Sequence, residues 1–132
     1  MTRLTRLVSL AALAISAAVT TPALAFVATN GFVVQDVGGG RFEVRPRGQL
    51  SDANAWCAAG DYAGRVLGMN TGTIWRISPP PRRSGQGITF STSPQGAASS
   101  TGMATIGGSG GSKSVSSAQS LCLTVRNDRR MR

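Results

Sequence analysis

Two cysteines, Cys57 and Cys122, restrict this chain more than any other feature of its sequence. They are the only thiols in 132 residues and stand 65 positions apart. Once oxidised, such a pair draws two remote segments together, and the freedom lost by the unfolded chain is equivalent to roughly 4 kcal/mol of stability. In a small domain that is a large share of the total. A redox or nucleophilic thiol is the rival reading. It lacks a Cys-x-x-Cys spacing, and the chain has no histidine to lower a thiol pKa. Two distant cysteines without histidine also make no ordinary zinc site, so neither a metal nor another cofactor is expected.

Whether the thiols pair depends on the compartment. Arg3 and Arg6 charge the start of the chain, and Leu7 to Val19 is apolar. Ala23-Leu24-Ala25 then puts small residues at the positions a signal peptidase accepts, just after Pro22. The apolar stretch is short for a membrane span; an uncleaved anchor helix is the competing reading. Phe26, not a cysteine, follows the cleavage point, which argues against a lipid anchor. Separated arginines favour the general secretory route over the twin-arginine one. The expectation is a signal peptide over 1–25, one domain over 26–125 and a basic, disordered tail over 126–132, in a periplasmic or secreted protein. Oxidising surroundings favour a Cys57–Cys122 bridge.

Along the domain, Phe32 to Val37, the glycines 38–40 and the alternating run Arg41-Phe42-Glu43-Val44-Arg45-Pro46-Arg47 predict a hairpin. Phe42 and Val44 take one face; Arg41, Glu43, Arg45 and Arg47 take the other, and Pro46 places the end of that strand at a sheet edge. Ser51 or Asp52 caps a helix expected to reach about Leu67, with Gly68 as its stop. Ala53, Trp56, Gly60, Ala63 and Leu67 form its apolar stripe, and Asp61, Tyr62 and Arg65 lie opposite. Gly60 and Gly64 each cost about 1 kcal/mol of helix propensity, which points to close approach of another element, as the bridge to Cys122 requires.

Strands are expected at 73–77 and 88–91, separated by the proline-rich loop, and a short fifth strand at 103–106. Residues 115–125 have both helical and alternating patterns; a helix through about Leu123 is preferred. The fold class expected is α+β: a small antiparallel sheet of four or five strands, two helices on one face and one disulfide.

The block Trp56-Cys57-Ala58-Ala59-Gly60-Asp61-Tyr62-Ala63, with the strand before it and the Pro-Arg loop after it, resembles a group of small exported bacterial proteins. That resemblance implies no activity. Read physically, Trp56 belongs in the core, and Asp61 and Tyr62 are exposed residues open to a surface role. The tract Gly107 to Ser114 is similar to a phosphate-binding loop, but its lysine does not follow a glycine as that motif requires, and a flexible linker is the better reading.

Charge gives the functional expectation. The chain holds 14 Lys and Arg against 5 Asp and Glu. Arg41, Arg45, Arg47, Arg82 and Arg83 are the candidate anion-binding residues, with the carboxy-terminal arginines adding to the basic balance. Their partners would be anionic envelope polymers, lipid headgroups or a protein with an acidic pocket for the braced Arg82-Arg83 loop. Specific nucleic-acid recognition is not expected, since no RRM, KH or zinc-finger signature appears and aromatics are few. The expectation is a non-catalytic exported domain acting through surface contacts. The alternative is a small hydrolase using a carboxylate pair such as Glu43 and Asp61. Without histidine, Ser-His and Cys-His catalysis is excluded.

Overall fold

The alternating run at 41–44 forms the middle of an antiparallel sheet. In a computed structural model, which describes residues 24–104 and 110–130, the elements in chain order are β1 (Phe26–Val27), β2 (Val33–Gly38), β3 (Arg41–Val44), α1 (Asp52–Arg65), β4 (Thr73–Arg76), β5 (Ile88–Ser91), β6 (Ser112–Ser114) and α2 (Val115–Arg130). The six strands are ordered β1-β2-β3-β5-β4-β6. Directly opposed residues share a face. Val34 stands opposite Val44, Val44 opposite Ile88 and Phe42 opposite Phe90. All five of these side chains are buried. Glu43, between Gln35 and Thr89, therefore looks to the other side.

Helix α1 lies across the apolar face. The Trp56 ring meets Phe90 edge-on at 4.8 Å between centroids, and Tyr62 reaches Phe42 at 4.7 Å. Its start is the expected one: Ser51 Oγ accepts the Asn54 amide at 3.1 Å, which satisfies a donor the first turn leaves over. Helix α2 packs along α1 through the Cys57–Cys122 disulfide, whose Cα atoms are 4.9 Å apart. Gly60 and Gly64 make that approach possible. A Cβ on Gly60 would sit 2.8 Å from the Gln119 amide nitrogen and 2.9 Å from the Ala118 Cβ. Gln119 also donates its side-chain amide to the Gly60 carbonyl at 3.2 Å.

The α+β class, the two helices and the disulfide are as expected, with six strands in place of four or five. Several local expectations are corrected. The strand β3 lies inside the sheet, between β2 and β5, and Pro46 falls beyond its end instead of marking an edge. The tract expected to be a flexible linker contributes β6, which pairs with β4 from Thr73↔Ser114 to Trp75↔Ser112. Met103 and Ala104 belong to no strand, and the remainder of that expected strand lies outside the described residues, as do residues 1–23 of the expected leader. Helix α1 ends at Arg65, leaving Leu67 exposed instead of on an apolar stripe. Helix α2 continues past Leu123 to Arg130, taking in most of the segment expected as a disordered tail.

The glycine contact gives a signed test. Gly60→Ala improves helix propensity by about 1 kcal/mol, but its methyl group meets α2 backbone that the disulfide holds in place, and overpacking of that kind costs about 1–3 kcal/mol. The variant is expected to unfold at lower urea concentration than the parent; an equal or higher midpoint contradicts the close packing.

Candidate functional site

The described acidic residues are few, and the fold uses them internally. Glu43 lies 3.4 Å from Arg45 Nε on the outer sheet face. Asp61 accepts the Thr29 amide at 2.9 Å and stands 3.5 Å from Arg65 Nη1. Asp52 binds Arg76, and Asp36 accepts the Gly38 amide at 2.7 Å in the β2–β3 turn. Glu43 and Asp61 occupy opposite sides of the sheet, so the geometry of a glycosidase-type carboxylate pair is not assembled. Asp61 and Tyr62, expected on an exposed face, are buried at 7% and 4% exposure. The reason is that α1 is covered on several sides: by the sheet, by the turn carrying Thr29, and by α2.

The arginines separate into two kinds. Arg76 is wholly buried on the core face, opposite Phe90. Its Nε donates to the Ser78 carbonyl at 2.7 Å, and Nη1 donates to Asp52 and to the Thr101 carbonyl. It joins α1, β4 and the 98–103 loop, and sequence reasoning passed over it. The available signal was that, in strand 73–76, Arg76 alternates in phase with Ile74, which is also buried.

The five candidate anion-binding arginines come from two segments of the chain and have different partners. Arg41 and Arg45 share the outer face of β3, about 13 Å apart at strand spacing. Arg41 donates to the Gln95 carbonyl at 3.3 Å, whereas Arg45 turns to Gln35 and Glu43. Arg47 lies past the strand, exposed, beside a hollow of 240 Å³ that it lines with Asn30, Gly31 and Phe32. Arg82 and Arg83 belong to the loop after β4, around a second hollow of 510 Å³. Arg82 donates to the carbonyls of Leu50 (3.2 Å), Arg83 (3.1 Å) and Gln86 (2.9 Å), so it braces the loop from within. Arg83 is exposed. Its carbonyl also accepts the Gln86 amide at 3.1 Å, closing a turn in which Gly85 takes a positive φ of 78°.

A third hollow, an open groove of 670 Å³, runs between β1–β2 and the end of α1, lined by Phe26, Asp36, Tyr62 and Val66 among others. Arg65 sits over the Phe26 ring at 5.3 Å. Among the described residues no group of three or more His, Cys, Asp and Glu is placed to hold a metal ion, and no helix is long and apolar enough to cross a membrane. No protein-family model, curated protein or solved structure matches the chain.

Tyr62 is the only tyrosine, so phenolate absorbance reads a single group. Burial, and secondarily the Asp36 carboxylate, push its pKa above the ordinary value of 10.0. The phenol then ionises more readily in the unfolded chain. Its contribution to stability is intact below about pH 10 and is lost as pH rises from there through the folded value. A titration midpoint above that of a free tyrosine is expected, falling partway in Asp36→Asn; a midpoint at or below the ordinary value contradicts the burial of this side chain.

Proposed function

We propose that the protein is an exported, disulfide-held domain that acts by non-covalent contact with anionic material of the cell envelope. The observation that carries this reading is the distribution of charge. Among the described residues, Glu43, Asp52 and Asp61 each lie against an arginine of the same chain, and Asp36 is tied to a backbone amide. Among the described residues, Arg47 and Arg83 have no carboxylate within ion-pair distance, and both are exposed. The uncompensated charge is thus positive, on arginine side chains suited to paired hydrogen bonds with carboxylate or phosphate oxygens. Such a surface attracts polyanions over several ångströms, with a strength that falls as salt screens it.

Export is supported by the leader-like residues 1–25, by the disulfide, which suits an oxidising compartment, and by the resemblance of the Trp56–Ala63 block to small exported bacterial proteins. The described residues beside the expected cleavage point support the same reading. Leu24 is 91% exposed, whereas Phe26 is half-buried, pairs with Val34 and packs edge-on against Tyr62.

The direct test is chromatography of the oxidised protein on immobilised heparin. Retention at low ionic strength is expected, with elution moving earlier as salt is added to the loading buffer. Absence of retention at low salt, or retention indifferent to salt, contradicts the proposal.

A further inference from the structure

We infer that the loop over residues 78–87 is the anion-binding site itself, a preformed cradle for a carboxylate, sulfate or phosphate group on an acidic polysaccharide. This rests on the reading above and assigns it to one place. Pro79, Pro80 and Pro81 stiffen one side of the loop. Its base is clamped to β5: the Thr89 amide donates to Ser78 Oγ at 2.7 Å, and the Ile77 amide to the Thr89 carbonyl at 2.8 Å. Across the middle runs Arg82. Its Nε–H is taken by Leu50, and the two N–H groups of Nη1 by Arg83 and Gln86. A guanidinium has five N–H donors, so among the described residues those on Nη2 remain uncommitted while the plane of the group is held fixed. Arg83 stands beside it on the closed turn, and both line the 510 Å³ hollow.

Two guanidinium groups at one concavity, one already immobilised by the chain's own carbonyls, offer convergent donors at a low ordering cost. No carboxylate is among the lining residues, and Glu43, which packs against Gly87, is paired with Arg45. Arg41, Arg45 and Arg65 are also turned toward partners within the fold, but none of them lines this hollow. The chemistry favours a polymer over a bilayer. None of the large exposed apolar side chains (Leu24, Val27, Val37, Val66, Leu67 and Leu123) belongs to this loop, so it has nothing to insert among acyl chains.

The experiment is calorimetric titration of the full oxidised protein with a heparin-derived oligosaccharide at fixed moderate salt. The parent is compared with Arg83→Gln and with Arg47→Gln, which removes the same charge elsewhere. Losing a hydrogen-bonded charge contact is expected to weaken binding about tenfold in Arg83→Gln, and Arg47→Gln is expected to change it less than about twofold, as a screened long-range charge does. Arg83→Lys, which keeps the charge without the fork, is expected to fall between. Equal losses in Arg83→Gln and Arg47→Gln overturn the assignment to this loop while leaving the broader reading standing. No binding by the parent overturns both. Binding to anionic phospholipid vesicles that matches the oligosaccharide and depends equally on Arg83 overturns the choice of a polysaccharide.

Discussion

The disulfide between α1 and α2 is the interaction on which the remaining structure depends. Helix α2 has sixteen residues, yet among its described side chains only Val115 and Ala118 enter the core fully, with Leu121 partly buried beside them. Burial of so few small groups is a weak return against the entropy of ordering residues 115–124, at about 1 kcal/mol or more per residue. The Cys57–Cys122 bond keeps the two segments close in the unfolded chain and so lowers the entropy lost when α2 docks on α1. The glycines at the crossing let the backbones meet, and the Gln119–Gly60 hydrogen bond sets the register. Because β6 leads directly into α2, the link also bears on the sheet: Ser112–Ser114 covers the outer side of β4.

A second, polar centre gathers at the first turns of α1. Trp56 Nε1 and Arg76 Nη1 both donate to the Thr101 carbonyl, at 3.0 and 2.9 Å. A residue of α1 and one of β4 are thereby fastened to the same point of the 98–103 loop. Asp52, in the first turn of α1, neutralises the buried guanidinium and at the same time suits the positive end of the helix. The Ser78 carbonyl, held by Arg76 Nε, begins the proline-rich loop. The rigidity of that surface loop is therefore continuous with the interior, through Ser78 at one side and through Arg82 and Leu50 at the other.

Much of this fold was legible in the residues. Alternation at 41–44 located β3, Ser51 marked the start of α1, and two costly glycines in a helix announced a close neighbour. Features escaped where local pattern and tertiary context disagree. Periodicity assigns one buried face to a helix, but α1 is covered on several sides, so Asp61 and Tyr62 are interior despite lying opposite the stripe. The uncharged run from Ala55 to Gly60, small residues around the single large Trp56, was the available sign of a helix enclosed all round. Ser112-Lys113-Ser114 has no strand-like composition, and only pairing with β4 makes it one. In β4 the alternation was readable but its sense was not, because Trp75 looks a better core residue than Arg76. Of the candidate site, arginine identity was legible, but which guanidinium groups the chain spends on its own carbonyls and carboxylates depends on contacts that have no sequence signature.

The covalent link, more than apolar burial, keeps the two helices together. The most direct test is urea unfolding of the same protein with the Cys57–Cys122 bond intact and after reduction and blocking of both thiols, followed by helical circular dichroism. The account predicts a loss of about 4 kcal/mol on reduction, with helical signal falling at urea concentrations where the oxidised protein is still folded. Coincident transitions for the two forms would contradict it.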